Sequence, residues 1–400
     1  MNAPAAPPLD GLLILDFTRV LSGPYCTMLL ADMGARVIKI EHPGRGDDTR
    51  GWGPPFLGEE SVYFLSINRN KESLTLDLKQ AAARRALDRL LDRADVLVEN
   101  FRPGTMERLG LDYATVAARC PRLVYCSISG FGQTGPRRAE AGYDAVMQGE
   151  GGLMSITGEA DGPPYRLGVA ISDIVSGMFA AQGITLALLA RARTGRGQLV
   201  DVGMLDATAA LLTYQAGLFL ASGAAPKRMG NRHPTIAPYE TFAAADGDLV
   251  VAVGNDDQWR RFCAAADLPG LCDDPRFSSN RGRVEHYDAL RPAIADRLRS
   301  RPRSVWIAEL RAAGVPCGAV RDVAEVLADP QLAARGMIAD VDHQTLGTLR
   351  VLGSPIKLSE TSASIRQAPP TLGQHTEQIL LSDAGLSAEE VAGLRAARAI

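Results

Sequence analysis

One aspartate stands at the mouth of an apolar run in "GVAISDIVSGMFAAQG". Two chemistries suit Asp173. As a helix cap, it or Ser172 accepts a backbone N–H from the first turn of a helix running towards Leu189, a common use of Ser and Asp. As a nucleophile, it attacks a carbonyl where water is scarce. A carboxylate with an ordinary pKa near ~3.9 is ionised at neutral pH and needs no adjacent base. That matters, because none of the five histidines is an obvious partner. Other chemistries lack their motifs. The first turn, "DFTRVLSGP", has no GxGxxG for a dinucleotide, so Glu41 reads as a loop acid and not a ribose ligand. GxxxxGK[ST], GxSxG and HExxH are absent. The six cysteines form no CxxC pair, so neither a metal site nor a disulfide framework is expected. Such thiols fit a reducing, cytoplasmic setting.

The elements that must position Asp173 alternate strand and helix. "LLILDF", "RVIKIE", "LTLDL", "DVLVEN" and "RLVYCSIS" read as strands, with "GPYCTMLLADMGA" and "QAAARRALDRLLDRA" as helices between them. Gly34 stops the first helix, and Leu87, Leu90 and Leu91 share one face of the second. This is an α/β pattern, a parallel sheet covered on both faces. Ligands on such sheets bind beyond the carboxyl ends of the strands, where Arg19, Lys79, Arg102 and Arg108 lie with His42 nearby. Four cations there suit a ligand carrying several phosphates, a pantetheine-linked nucleotide as well as a dinucleotide.

Helices over 173–192 and 204–221 follow, split by "TGRGQLVDVG". "SGAAPKRMGNRHPTIAP" reads as a linker or active-site loop. Beyond it, "YETFAAADGDLVVAVG" reads as a hairpin turning at Asp246-Gly247, opening a smaller α+β unit. "GVPCGAV" and "LRVLGSPIKLS" read as strands near the return to the first domain, and Ser387 with Glu390 forms a capping box. The expected domains are 1–222, 223–325 and 326–400, the last returning to the first.

At 400 residues and a formal charge of -3, the chain is long enough for two domains and lacks the positive excess that nucleic acid requires. The opening "MNAPAAPPLD" has no basic segment followed by an apolar one. The apolar segments near 177–190 and 208–221 are broken and too short to span a bilayer, so no membrane partner is expected.

Six stretches, "LDFTRVLSGP", "GARVIKIEHPGRGDDTRGW", "NRNKESLTLDLK", "VENFRPG", "GYDAV" and "GVAISDIVSGMFA", closely resemble class III CoA-transferases. The likeness runs from about residue 10 to "LGQHT" at 372–376. That family includes formyl-CoA and carnitine CoA-transferases, succinyl-CoA-dependent dicarboxylate transferases and α-methylacyl-CoA racemases. The resemblance implies an interlocked homodimer, each chain having a Rossmann-like large domain and a smaller domain. It implies no tightly bound cofactor, with acyl-CoA and a small carboxylic acid as substrates.

Carried over position by position, the resemblance makes Asp173 the catalytic aspartate. It lays CoA along Val20, Leu21 and Ser22, then Leu76, Asp77, Leu78 and Lys79, then Asn100, Phe101 and Arg102, and Arg108. Tyr143, Asp144 and Met204 fall at pocket positions, with Trp52 and Tyr63 facing the acyl group. His42 stands where formyl-CoA transferases have Arg. "GNRHPTIAPY" replaces their glycine-rich lid, so formyl-CoA and oxalate are not carried over.

The implied reaction moves CoA from an acyl-CoA, such as succinyl-CoA, to a small mono- or dicarboxylic acid through a mixed anhydride and an aspartyl-CoA thioester. Arg137, Arg138 and Arg232 are candidates for a distal carboxylate. Two alternatives remain. Racemisation at the α-carbon needs acid/base groups on both faces, but Tyr143 replaces the racemases' His, and their catalytic Glu falls in "VGNDDQW". A silent CoA-binding protein would be expected to lose Asp173 or the CoA-lining residues, and this chain keeps both.

Overall fold

A computed structural model describes residues 6–400; residues 1–5, part of the Pro/Ala-rich opening, lie outside the described residues. The chain forms two compact units. One comprises Met1–Leu153, Arg166–Gly217 and Pro330–Ile400, the other Met154–Tyr165 and Leu218–Asp329.

The first unit is built on six parallel strands: β1 (Leu13–Asp16), β2 (Arg36–Glu41), β3 (Lys71–Thr75), β4 (Val96–Glu99), β5 (Val124–Ser129) and β6 (Leu199–Gly203). Their order is β3-β2-β1-β4-β5-β6. Alternation divides their side chains between two cores. Leu15, Ile38, Leu97 and Tyr125 pack on one face, and Ile14, Val37, Val98 and Cys126 on the other. Each large apolar side chain so buried contributes about 1.5–3 kcal/mol. The order reverses between β1 and β4, and at that switch point the loops beyond the strands part to leave a crevice.

The third strand begins three residues before the expected "LTLDL". The shift has a physical cause. Lys71, polar by pattern, is wholly buried in β3, its ammonium held by Asp16 at 3.1 Å and the Pro24 carbonyl at 2.9 Å.

Helix α1 (Ser22–Asp32) follows β1 and ends before Gly34, whose φ of 107° is one that glycine adopts readily. Helix α2 (Ala81–Leu91) buries the expected Leu87, Leu90 and Leu91. Helix α3 (Asp144–Glu150) precedes α4 (Ile171–Thr194). At 24 residues, α4 exceeds the expected segment, and on length and composition alone it is long and apolar enough to cross a bilayer. Instead, Ala180, Ile184 and Ala187 pack into the core, and Arg191 near its end is paired with Asp95 at 2.9 Å. The expected helix over 204–221 is two helices, α5 (Met204–Ala210) and α6 (Thr213–Ser222), with Thr213 left-handed at φ 39°.

The second unit carries an antiparallel sheet of β7 (Tyr239–Ala244), β8 (Gly247–Ala252) and β9 (Cys317–Ala319). Its hairpin turns on Ala245 and Asp246, one residue before the expected place. β9, from "GVPCGAV", pairs with β8 and so belongs to this unit's sheet rather than to the return. Helices α7 (Asp256–Ala265), α8 (Tyr287–Leu298) and α9 (Arg303–Ala312) bury Trp259, Phe262 and Trp306 against it. In the C-terminal part of the first unit, β10 (Ile338–His343) and β11 (Gly347–Leu352) form a hairpin. Helix α10 (Ala388–Ala396) carries the expected Ser387/Glu390 capping box.

Candidate active site

Two cavities open at the carboxyl ends of the parallel strands. The first, about 200 Å³, has Asp173 in its wall with Val20, Ser22, Tyr143 and Met204. Asn100, Phe101 and Arg102, just beyond β4, complete its other side. The second, about 180 Å³, is walled by His42, by Leu76, Asp77, Leu78 and Lys79, and by Phe101. Arg19 and Phe101 belong to both walls. The Arg19 guanidinium lies over the Phe101 ring, 5.0 Å from its centre, a cation–π contact between the two shared residues.

Asp173 sits in the first turn of α4 but caps nothing there. Ala170 occupies the N-cap position without a side-chain hydrogen bond. The cap comes from α3, where Asp144 Oδ1 accepts the Ser172 N–H at 2.9 Å. Half-buried, the Asp173 carboxyl is pushed up to about 7, first by desolvation and then by the Asp144 charge. The polar Ser22 hydroxyl and backbone N–H nearby pull the other way. This departs from the ordinary carboxylate expected of the sequence.

α4 packs close against the Ser22 backbone because residue 177 is glycine. A Cβ there would stand 2.5 Å from the Ser22 carbonyl oxygen. On the opposite wall, Glu99 Oε2 accepts the Phe101 N–H at 2.8 Å and fixes the loop after β4. Glu41, expected as a loop acid, ends β2 in a buried ion pair with Arg50 at 2.7 Å, with Ser73 donating at 2.7 Å.

Other expected residues lie outside both walls. Leu21 is buried at the start of α1, and Asp144 is occupied with Ser172 and Gln148. Arg108 is exposed and donates to Thr105 at 3.0 Å. Trp52 and Tyr63 pack edge to face at 5.2 Å. The Tyr63 hydroxyl is pushed up to about 12, by burial and then by Asp173 and Asp144. Of the candidates for a distal carboxylate, Arg137 is committed to Glu140 and Glu150, each at 2.6 Å. Arg232 is stacked on Tyr287 at 3.4 Å.

The sequence reading passed over Arg45 and Glu140. Arg45 stands in the second wall beside His42 and Lys79, and Glu140 in the first. Position beyond a strand end, already used for Arg19 and Lys79, would have found Arg45. Among the described residues no cluster of three His, Cys, Asp or Glu is arranged to hold a metal.

A family model described as CoA-transferase family III matches residues 9–376. The chain belongs to this family. It is 42% identical over 373 residues to the succinyl-CoA:glutarate CoA-transferase of Mus musculus, covering 93% of this chain and 86% of that one. It is 46% identical over 361 residues to the acetyl-CoA:oxalate CoA-transferase of Acetobacter aceti, covering 90% and 91%. A solved CaiB/BaiF family protein from Brucella suis matches with a TM-score of 0.84 at 42% identity, over 94% of this chain and 99% of that one. As a member of the family, the protein is a CoA-transferase acting on CoA thioesters.

Proposed function

We propose that the enzyme moves CoA between carboxylic acids through Asp173 as nucleophile. The observation that carries this reading is the pair of cavities sharing Arg19 and Phe101, one walled by Asp173 and the other by His42, Arg45 and Lys79. The cations receive the CoA phosphates, and the pantetheine arm passes Arg19 and Phe101 to bring its thioester to Asp173. The strand order β3-β2-β1-β4-β5-β6 supports a Rossmann-like description of the first unit.

The chemistry balances in two halves. An Asp173 oxygen attacks the donor's thioester carbonyl, the C–S bond breaks, and CoA leaves as thiolate from a mixed anhydride. The thiolate then attacks the aspartyl carbonyl, releasing the donor acid as carboxylate and leaving an aspartyl-CoA thioester. The acceptor carboxylate reverses both steps, leaving as its CoA ester and restoring the Asp173 carboxylate. The Tyr143 hydroxyl supplies a hydrogen-bond donor to an oxyanion in this cavity. The desolvation of Asp173 supports protection of the anhydride from water.

For substrates, the names of the relatives support succinyl-CoA or acetyl-CoA as donor and a small dicarboxylic acid, glutarate or oxalate among them, as acceptor. The acetyl-CoA:oxalate relative brings oxalate back among acids set aside on lid sequence alone. On α4, Met178, Leu186 and Leu189 are exposed, an apolar face that supports burial against a second copy in a homodimer. All six cysteines are free thiols, which supports a reducing, cytoplasmic setting.

The test is incubation with succinyl-CoA alone, then with glutarate, oxalate or mesaconate. Without acceptor, hydroxylamine should trap an acyl adduct at Asp173 and free CoA should not exceed enzyme. Rapid α-deuterium uptake by a branched acyl-CoA with no adduct would overturn transfer in favour of racemisation. Sedimentation as a monomer at assay concentration would overturn the dimer.

A further inference from the structure

Glu99 ends β4 with its side chain buried. Its Oε2 accepts the Phe101 N–H at 2.8 Å, and its Oε1 accepts the Ser127 hydroxyl. Ser127 in turn accepts from Gln133 Nε2 at 2.7 Å, and the Gln133 N–H donates to both Asp201 oxygens, at 3.1 and 3.0 Å. One chain of hydrogen bonds thus crosses the carboxyl ends of β4, β5 and β6 and finishes on the backbone of Phe101. Among the described residues no cation forms an ion pair with Glu99, whose two partners are neutral donors. A buried carboxylate without a counter-charge costs free energy that an apolar residue would not, so stability does not account for it.

What the carboxylate holds is the loop after β4. The Asn100 side chain brackets Arg19, accepting its N–H at 2.8 Å and donating to its carbonyl at 2.7 Å. The Arg19 guanidinium lies over the Phe101 ring. Arg19 and Phe101 are the residues that both cavities share. Arg102, next along, stands in the first wall and also in that of a third cavity, about 250 Å³, which Glu99, Ser127 and Gln133 line. Glu99 therefore lies behind the loop, on the far side from the two cavities assigned to the substrate.

We propose that Glu99 is a positioning residue for CoA: its hold on the Phe101 N–H keeps Phe101 and, through Asn100, Arg19 where the pantetheine arm passes them. This rests on the reading that the arm takes that path to Asp173.

The test compares Glu99→Gln with Glu99→Leu. Both remove one negative charge, so they differ in the acceptor and not in charge. The Phe101 N–H can only donate, whereas the Ser127 hydroxyl can also accept, so glutamine settles with its oxygen on Phe101. Leucine offers no acceptor. Titration calorimetry gives Kd for CoA and for pantetheine in both variants, in wild type and in Phe101→Ala, and steady-state assays give kcat and KM for succinyl-CoA. Glu99→Gln should keep both affinities within about twofold of wild type. Glu99→Leu should weaken CoA and pantetheine alike by about three- to tenfold, the span of one net hydrogen bond, and raise KM more than it lowers kcat. Equal affinities in the two folded variants overturn the proposal, whatever their melting temperatures. A loss confined to CoA places the effect at the phosphates and overturns it too. Where leucine prevents folding, Glu99→Met takes its place with the same expectation. Phe101→Ala tests the path itself. Unchanged affinity for CoA and pantetheine in that variant overturns the path, whereas weakened binding there beside coincident Glu99 variants overturns the part given to Glu99 alone.

Discussion

Asp144 Oδ1 accepts the Ser172 backbone N–H at 2.9 Å, and its Oδ2 accepts from Gln148 Nε2 at 2.8 Å. One carboxylate therefore caps the helix that carries Asp173 and, by its charge, holds the Asp173 proton on. These two effects separate by substitution. Asp144→Asn keeps an oxygen for the Ser172 N–H and removes the charge. Its kcat/KM should fall off at lower pH than wild type, because only a raising influence on Asp173 has gone. Asp144→Ala should show the same pH shift and also lose about 1 kcal/mol of stability with the cap. Paired pH–rate profiles and thermal melts check both. An acid limb that stays put in Asp144→Asn would remove Asp144 from the account of Asp173.

Asp173 itself should make stability fall as pH rises. Its folded value, about 7, lies above the ordinary 3.8. Between those values the folded chain keeps a proton that the unfolded chain has released, so the stabilising contribution is present at low pH and lost through pH 7. Asp173→Asn removes this dependence. At pH 8 the variant should be the more stable by on the order of 2 kcal/mol, the gap closing towards pH 4. Wild-type activity should move oppositely, rising through about pH 7 as the nucleophile ionises. Denaturant melts at pH 5 and 8 decide it; a variant less stable than wild type at both would show that the carboxylate is not under strain.

The alternation of the strands, the stop at Gly34 and the leucine face of α2 were legible in the sequence because each is a local pattern of apolar residues or a single glycine. What escaped it depends on tertiary partners. Lys71 reads as a strand boundary until Asp16 and the Pro24 carbonyl make it a core residue. Asp173 and Asp144 are equally good caps by type, and only the approach of α3 to α4 assigns that task to Asp144. Family resemblance supplied residues for both walls, and it could not say that Arg108 lies outside them or that Arg45 lies within.

The approach of α3 depends on two glycines. A Cβ at Gly142 would stand 2.5 Å from the Gly130 Cα, and one at Gly130 would stand 2.8 Å from the Gly142 Cα. Backbone cannot yield as a flexible side chain can, so Gly142→Ala should cost about 1–3 kcal/mol and push Tyr143 and Asp144 off the end of β5. Activity should fall further than stability alone explains, measured well below the melting temperature. Gly393→Ala is the control. It lies inside α10 with nothing within 4 Å, and should raise stability by up to about 1 kcal/mol with activity unchanged. Equal activity in the two variants would mean that the Gly130–Gly142 contact does not shape the site.

Arg45 should hold CoA more firmly than Arg108 does. Arg45 stands in the second cavity with His42 and Lys79, exposed and, among the described residues, without an ion-pair partner. Arg108 is not part of either wall and spends a donor on Thr105, at the edge of the second. A charge-assisted contact to phosphate at an exposed rim is screened by salt. Arg45→Ala should therefore weaken CoA binding by about three- to tenfold at low ionic strength, and by much less at 0.5 M salt, roughly where the Debye length falls to a few ångströms. Arg108→Ala should change affinity by less than about twofold at either. Titration calorimetry with CoA and with pantetheine separates phosphate recognition from recognition of the arm, since only CoA should report the loss. If Arg108→Ala weakens CoA more than Arg45→Ala, the CoA phosphates lie outside the second cavity, and the path from His42 past Arg19 to Asp173 is wrong.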